Sequence, residues 1–453
     1  MPKSAFFIVA IYQAAVKQQD APLSYQSGNT STRDPELLSF APDVTVVPGH
    51  GPRTTLRSQC ISSISAAVFE AKNVHDSTDF VLVTCQPGAE GALKDEVALS
   101  KPDWKFSYSR PGFLTFKVHE PSEVAEPIVL HSTFARASAH SLGRVQGFPS
   151  AMMAKAVWQR VGERAIDRLH VWSRDAAIPG ENGYESGEDE AARAAKELII
   201  AVAPAAGDGS AVPSHLLEDT HRGDLVLDCV VVAPDEWWIG LHRATSRITR
   251  WPGGIWPGQP PPEMVSRAYL KMSEALDWMR FPVKLGQRCV ELGCAPGGAT
   301  QALLDRGLRV TGVDPAKVDE RVARRKHFQH LRKRSADVPR RDFRQFQWLV
   351  ADMSVAPSYT LAAVRDIVCH RHVNIRGLIM NLKLPDWKLA AEIPGYVAEV
   401  RRWGYPVVRA RQLSHNGQEI CVAGLKPARR GRPPRRKRAR SAISARPSAG
   451  NRA

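Results

Sequence analysis

From residue 266 to residue 426 the chain switches regularly between the two-residue hydrophobic period of strands and the 3.6-residue period of helices. Helices are predicted at the start of this region and between its strands. The last two strands are separated only by a short polar turn, which is typical of an antiparallel hairpin. The pattern predicts an α/β fold, a doubly wound and mostly parallel sheet that ends in this hairpin. The predicted strands are 288–293, 310–313, 346–351, 377–382, 407–412 and 419–424.

The region before residue 250 has a weaker pattern that still predicts strands and helices. Its last two apolar runs are separated by four residues, which is the spacing of a β-hairpin. The acidic, glycine-rich stretch 180–190 is predicted to be an exposed loop. We therefore expect an α/β module ahead of the larger sheet that consists of two units, one at about residues 80–118 and the other between about residues 125 and 250. Its predicted strands are 80–85, 112–118, 225–232 and 237–242, and its predicted helices are 89–99 and 191–201.

Composition suggests where these regions begin and end. The first 75 residues are rich in Ser, Thr, Pro and Gln and are predicted to be largely loop-like. A Pro- and Gly-rich segment before the larger sheet is predicted to be a linker, with Trp251 and Trp256 as candidates for packing between domains. The predicted organisation is an extension (1–75), a module (76–250), a linker (251–262), a domain (263–426) and a disordered basic tail (427–453).

The overall composition excludes several classes of protein. Hydrophobic residues make up 43% of the chain and charged residues 24%, which is typical of soluble globular proteins. No apolar run approaches the roughly 20 residues of a membrane helix. The apolar stretch 5–16 is interrupted by polar residues, so a secretory signal is not predicted. The seven cysteines show neither a CxxC pair nor the clustered Cys/His spacing of a zinc site. We interpret them as reduced thiols of a cytoplasmic protein, and we predict no metal site.

Positive charge is concentrated in two segments. Residues 426–453 hold eleven Lys and Arg residues and no acid, in a chain whose net charge is +16. This tail is either simply solvated or binds nucleic acid, and the second interpretation is favoured because cationic segments release counterions when they meet phosphates. The stretch 321–344 holds ten Lys and Arg residues against two acids. It is either a solvated helix face or a surface that follows the phosphates of an RNA, and both interpretations stay open.

The sharpest local signal is a strand that runs into a glycine-rich turn and then a helix, residues 290–298. Glycines here allow the backbone to approach a ligand closely. The turn lacks the third glycine of the dinucleotide-binding pattern and has Pro296 instead. With Glu291 before it, the turn suits a cofactor bearing an ammonium and a sulfonium better than one bearing a pyrophosphate. Asp314, at the end of the next strand, is placed to bind the two hydroxyls of a ribose.

Four ionisable residues occupy helix or strand-end positions around the same sheet: Lys271, Asp352, Lys383 and Glu419. Groups beyond the carboxyl ends of parallel strands converge on the ligand crevice, so Asp352 and Lys383 are expected to meet. A lysine in a cleft near another lysine has a lowered pKa, which would make Lys383 a base toward a ribose hydroxyl. Each residue alone is more often a surface charge, and only the set is informative.

These segments together resemble the FtsJ-like ribose 2'-O-methyltransferases. Among those enzymes the chain is most similar to the bacterial 23S rRNA cytidine 2'-O-methyltransferases that carry a THUMP domain. The similarity is dense from about residue 243 to 426 and looser from 80 to 242. The segments that carry it are 266–276, 291–298, 351–353, 381–385 and 411–419, with 85–90 and 134–136 in the first module.

The resemblance implies a Rossmann-like methyltransferase domain, preceded by a THUMP-like module, that transfers a methyl group from S-adenosylmethionine to a ribose 2'-oxygen of RNA. The implied substrate is a cytidine of 23S rRNA, and the mechanism requires neither a metal nor a membrane. The implied catalytic residues are Lys271, Asp352, Lys383 and Glu419. The expected cofactor-binding residues are Glu291, Gly293, Cys294, Ala295, Pro296, Gly297, Gly298, Asp314, Asp337 and Asp352, with Asp342 as the rival of Asp337 for the adenine amine.

Three alternatives stay open at this point. The acceptor could be another RNA, such as tRNA or an mRNA cap. The chain could also be an RNA-binding protein that keeps the fold without catalysis, although the intact set of four residues argues against this. A nicotinamide-dependent oxidoreductase is the third alternative, which Pro296 and the terminal hairpin oppose.

Overall fold

The computed structural model describes residues 77–123, 126–128, 130–147, 150–204 and 214–427. The predicted extension and all of the basic tail after residue 427 lie outside this range. The described chain contains two seven-stranded sheets with helices packed on them. None of the described helices has the length and apolar character needed to cross a membrane.

The first sheet is mostly antiparallel and has the strand order β2-β3-β1-β4-β7-β6-β5. Only its edge pair, β5 and β6, is parallel. Three helices, α1 to α3, follow β1, β4 and β5 in the chain. The strands are β1 (Ser77–Thr84), β2 (Lys105–Arg110), β3 (Phe113–Glu123), β4 (Ala137–Gln146), β5 (Arg168–Ser173), β6 (Leu225–Ala233) and β7 (Glu236–Arg243), and the helices are α1 (Glu90–Ser100), α2 (Ser150–Val161) and α3 (Glu190–Ala201).

The alternation along β6 shows how this sheet buries both faces. Leu227, Cys229 and Val231 belong to the apolar cluster that includes α2 and α3. Val230 and Val232 point to the opposite face and belong to a second apolar cluster. Successive strand residues point to opposite sides, so β6 is buried on both.

Strand β4 joins regions that the hydrophobic pattern treats as separate units. It pairs with β1 on one side and with β7 on the other. Its sequence, mainly Ala, Ser, His, Gly and charged or amide residues, has little of the β-branched and aromatic content that marks a strand. The strand is specified by its two neighbours, and for this reason the sequence alone did not predict it.

The second sheet confirms the predicted doubly wound fold. Its order is β10-β9-β8-β11-β12-β14-β13, and only β14 runs antiparallel to its neighbours. The direction of the strand order reverses between β8 and β11, where ligands bind in sheets of this kind. The strands are β8 (Arg288–Leu292), β9 (Arg309–Val313), β10 (Phe328–Leu331), β11 (Trp348–Asp352), β12 (Gly377–Lys383), β13 (Val407–Arg411) and β14 (Glu419–Leu425), and the helices are α4 (Ala268–Met279), α5 (Gly298–Asp305), α6 (Glu320–Ala323), α7 (Pro357–Val368) and α8 (Ile393–Arg402).

Two details of this sheet differ from the prediction. The basic stretch 321–344 contains the short helix α6, the edge strand β10 and two 3₁₀ turns rather than one helix face. The many charged residues in this stretch leave too few apolar positions to show the hydrophobic period of a strand or a helix. The helix predicted between the strands 377–382 and 407–412 begins with a 3₁₀ turn, Trp387–Glu392, and α8 starts only at Ile393. Pro394 in the first turn of α8 fits this start, because proline is tolerated there but not inside a helix.

The Pro- and Gly-rich segment after β7 is packed rather than loose. Trp251 and Trp256 are buried and form a small apolar cluster with Leu270 of α4. The Trp256 indole donates a hydrogen bond of 2.8 Å to Asp277, and its backbone N–H donates one of 3.3 Å to Ser414 Oγ. The segment therefore fixes α4 against the hairpin β13–β14.

Candidate active site

The glycine-rich turn after β8 lies against the end of β11. Gly293 has φ +76°, and a Cβ atom there would lie 2.5 Å from the carbonyl oxygen of Asp352. A side chain at Gly298 would collide with Ser266, just before α4. The Ala295–Pro296 peptide bond is cis. Glycine is therefore required at both positions, because the turn is held in direct contact with β11 and with the start of α4.

Three carboxyl groups surround this turn. Glu291 is 1% exposed and accepts a hydrogen bond of 2.6 Å from Thr300. Burial, followed by the nearby Asp352 and Asp314, raises the pKa of Glu291 to about 8. Asp314 accepts the N–H of Ala295 at 3.0 Å and that of residue 316 at 2.8 Å. The turn is thus bordered by acidic groups whose lone pairs are only partly used.

Cys294 makes a different contribution from its neighbours. Its side chain is 2% exposed, and a Cβ atom at Gly312 would lie 2.5 Å from its sulfur. Burial raises the pKa of this thiol, so it remains protonated. The side chain packs in the core, and Cys294 can line the turn only through its backbone.

The four residues predicted as a set come together at the ends of α4, β11, β12 and β14. Glu419 lies between the two lysines, with one carboxylate oxygen paired to Lys271 Nζ and the other to Lys383 Nζ. Lys383 Nζ also donates to Asp352 Oδ1 at 3.4 Å. The register places Lys383 directly opposite Glu419 and Asp352 opposite residue 381. The result is a continuous chain of alternating charges, Lys271–Glu419–Lys383–Asp352.

The electrostatics of this set correct one prediction. Burial alone would lower the pKa of Lys383, but Asp352 and Glu419 outweigh it and raise the pKa above its ordinary value. Burial would raise the pKa of Glu419, and the two lysines outweigh it and lower that pKa. The predicted lowering of the Lys383 pKa is therefore wrong, because two carboxylates, and not the second lysine, are its immediate partners.

The two rivals for the adenine position lie in different surroundings. Asp337 is exposed on a 3₁₀ turn that follows β10, and its two oxygens pair with Arg334 at 3.0 and 3.1 Å. Arg334 lowers the pKa of Asp337. Asp342 borders a cavity of about 440 Å³ that is also lined by Val290 and Thr311. Of the two, Asp337 lies in the loop after the carboxyl end of β10, whereas Asp342 lies in the 3₁₀ turn that precedes β11.

The loop before Glu419 is held by a buried ionic network from the first sheet's region. Arg136 pairs with Asp175, donates to Ser186 Oγ at 3.0 Å and to the carbonyl of Ser414 at 3.1 Å. Glu274 of α4 accepts from the Ser414 N–H at 3.0 Å and from its hydroxyl at 2.7 Å. The loop that positions Glu419 is thereby fixed from two sides.

The acidic stretch 180–190 is part of the same junction. Most of it is exposed, as predicted, but residues 184–187 are partly or fully withdrawn from solvent. Ser186 is 5% exposed, and Glu185 pairs with Arg267 and with His415 Nδ1, the latter at 2.9 Å. Arg267 also donates to the carbonyl of His415 at 3.0 Å. The polar composition suggested solvent, but these charges are matched by cations from distant segments.

Glu274 and Arg411 are two buried charged residues that sequence reasoning missed. Arg411 donates to the carbonyl oxygens of residues 135 and 254 at 3.2 Å. Burial lowers the pKa of Arg411 to about 10. A signal for Glu274 existed, since it lies three residues after Lys271 and so on the same face of α4. Arg411 has no comparable local signal.

Comparison with known proteins assigns the region that holds most of this site. Residues 264–394 match the FtsJ-like methyltransferase family. This FtsJ-like region includes the glycine-rich turn and three of the four clustered charges, and Glu419 follows it in the chain. The match agrees with the predicted resemblance.

Curated relatives extend the likeness beyond this region. Ribosomal RNA large subunit methyltransferase M from Alkalilimnicola ehrlichii is 34% identical over 191 residues, which cover 39% of this chain and 50% of that protein. The protein of the same name from Thauera aminoaromatica is 31% identical over 216 residues, 46% of this chain and 58% of its own. The chain spans about half the length of the curated relatives it matches. Among solved structures, the alignment with TrmN from Thermus thermophilus covers 77% of this chain and 99% of the TrmN chain. The sequence identity is 13% and the TM-score is 0.27, so this likeness is too distant to bear on function.

Proposed function

We propose that this chain transfers a methyl group from S-adenosylmethionine to a ribose 2'-hydroxyl of RNA, and that the acceptor is a cytidine of 23S rRNA. The observation that carries the proposal is the Lys271–Glu419–Lys383–Asp352 chain beside the glycine-rich turn of an FtsJ-like region. The relatives' name supplies the choice of large-subunit ribosomal RNA.

The residues around the turn fit the cofactor. S-adenosylmethionine would supply a methyl group on a cationic sulfur. Asp314 follows β9 and Asp352 ends β11, so their two carboxyl groups flank the end of β8, where the turn begins. Asp314 has lone pairs left for ribose hydroxyls, and Asp337 is the proposed acceptor for the adenine amine. The remaining turn residues, 294–298, would contribute backbone and shape.

Lys383 is the proposed residue that handles the acceptor hydroxyl. Its ammonium group would orient the 2'-oxygen and, after losing its own proton, accept the proton of the hydroxyl. Asp352 and Glu419 hold the ammonium in place, and Lys271 balances the charge of Glu419. Holding two reactants in attack geometry can contribute roughly 7–11 kcal/mol, so positioning by this network matters at least as much as basicity.

The RNA would meet cationic groups on both parts of the chain. Eight of the ten Lys and Arg residues in the basic stretch 321–344 are exposed. We assign RNA recognition to the first sheet's module (76–250), in keeping with a THUMP-like role, and phosphate contacts to the basic stretch and tail. A ribosomal RNA substrate is consistent with the predicted cytoplasmic location.

Methyl transfer from labelled S-adenosylmethionine to protein-free 23S rRNA, 16S rRNA and bulk tRNA, in parallel, tests the acceptor. We expect label in 23S rRNA and background in the others. Label in tRNA alone would move the proposal to another acceptor. Cofactor binding without transfer to any of the three would favour the non-catalytic RNA-binding protein, and nicotinamide binding without S-adenosylmethionine binding would overturn the methyltransferase altogether.

A further inference from the structure

Three side chains with metal-binding atoms meet on the first sheet, away from the site described above. In the parallel pair β5–β6, His170 lies opposite Asp228. In the antiparallel pair β6–β7, Asp228 lies opposite Gly240, and His242 follows two residues later on the same face. One ligand atom from each of the three residues lies within 4.8 Å of the other two.

The cluster is buried and its hydrogen bonding is incomplete. His170, Asp228 and His242 are 4%, 1% and 7% exposed. Among the described residues, neither His170 Nδ1 nor Asp228 Oδ1 has a hydrogen-bond partner, and the two atoms are 3.7 Å apart. Buried polar atoms are nearly always paired, so two of them aimed at each other point to a missing ligand.

The outer hydrogen bonds leave lone pairs directed at the centre of the cluster. His242 Nε2 donates to the carbonyl of Thr249 at 2.7 Å, so in the neutral ring Nδ1 is an acceptor. That nitrogen faces Asp228 Oδ2 at 2.5 Å. His170 Nε2 lies 2.8 Å from Thr220 Oγ1, which leaves its Nδ1 facing Asp228. At the contact between His242 and Asp228, two acceptors therefore face each other, which requires a cation there, either an additional proton or a metal ion.

We propose that His170, Asp228 and His242 bind one divalent transition-metal ion, with Zn²⁺ as the ion that best fits two imidazoles and a carboxylate. The cluster borders a cavity of about 920 Å³ that also reaches Thr249 and Arg409, so the fourth position is open to water. Hydrogen bonds between the Nε2 atoms of the two rings and Thr220 and Thr249 orient the rings, as in known zinc sites.

This site does not depend on the proposed methyl transfer. The metal would join the edge strand β5 to β6 and β7 and, through Thr249, to the segment that carries Trp251 toward α4. The predicted absence of a metal site rested on local spacing. These ligands belong to three different strands, so no short motif could show them.

The test uses the full chain without an affinity tag. We expect about one Zn²⁺ per chain in the purified wild type by plasma mass spectrometry. After exchange, Co²⁺ should give the visible absorption of a tetrahedral site. Asp228→Asn should abolish that absorption. Thr220→Val, which keeps all three ligands, should weaken Co²⁺ affinity about 10- to 100-fold. His131→Gln changes an exposed residue that borders the same cavity, and it should behave as wild type.

Folded wild type that neither retains Zn²⁺ nor gives a Co²⁺ spectrum would overturn the proposal and leave a proton shared by His242 and Asp228. Equal Co²⁺ binding by wild type and Asp228→Asn would also overturn it, and would assign the ion to surface residues such as His370 and His372. Circular dichroism verifies folding in each case. Because the wild-type measurement needs no variant, poor folding of Asp228→Asn does not leave the question open.

Discussion

Glu291 offers a quantitative test of the site because its carboxyl group is buried beneath the glycine-rich turn. Its pKa rises from 4.5 to about 8, through burial and then through Asp352 and Asp314. Between these two pH values the folded protein keeps a proton that the unfolded chain releases. The folded state therefore binds more protons, and the free energy of unfolding falls as the pH rises through this window. At 1.36 kcal/mol per pKa unit, the full effect is about 5 kcal/mol.

The perturbation is Glu291→Gln, which keeps the size of the side chain and can accept the hydrogen bond from Thr300 but cannot ionise. Near pH 5 the variant should match wild type within about 1 kcal/mol, and at about pH 9 it should be more stable by roughly 3–5 kcal/mol. Urea unfolding of both proteins across this range gives the difference, in which the other titrating groups largely cancel. Glu320→Gln, at an exposed position on α6, is the control and should follow wild type. A difference between Glu291→Gln and wild type that does not change with pH would refute the reasoning.

Three further predictions concern the network around the site. Arg136→Met should lower the free energy of unfolding, measured with urea, by about 3–5 kcal/mol because it leaves Asp175 charged and buried. Adding Asp175→Asn should recover much of this loss. Additive losses from the two substitutions would contradict the account. The turnover number should keep rising with pH beyond neutrality, because two carboxylates raise the pKa of Lys383, and a plateau below about pH 7 would count against Lys383 as the base. Gly293→Ala should lower the free energy of unfolding by about 1–3 kcal/mol and weaken S-adenosylmethionine binding in calorimetry, because the added Cβ would meet a carbonyl oxygen of β11. Gly395→Ala, where nothing lies within 4 Å of the added Cβ, should do neither. Equal effects at both positions would refute the contact argument.

The parts of the fold that the sequence predicts are those with a local signal. The strands at 288–293 and 377–382 are short, mainly apolar runs, and the hairpin before residue 426 has a short polar turn, so their type and order follow from the local hydrophobic pattern. The convergence of Asp352 and Lys383 followed from one rule about the carboxyl ends of parallel strands. These predictions needed no knowledge of distant contacts.

The features that were missed depend on partners far along the chain. Within the mostly exposed stretch 180–190, Glu185 is half-buried, and only the placement of Arg267 and His415 makes this favourable. The direction of the Lys383 pKa shift depends on which charges become its nearest neighbours in three dimensions. Neither property is encoded in a window of adjacent residues.

The most direct test of the central claim is the chemical position of the transferred methyl group. Labelled 23S rRNA is hydrolysed with alkali, which leaves a 2'-O-methylated nucleotide in a resistant dinucleotide. The account predicts resistant label with wild type and with Lys388→Ala, an exposed lysine near the site, and almost none with Lys383→Ala, which should still bind S-adenosylmethionine. Label found only in mononucleotides, or resistant label that persists in Lys383→Ala, would contradict it.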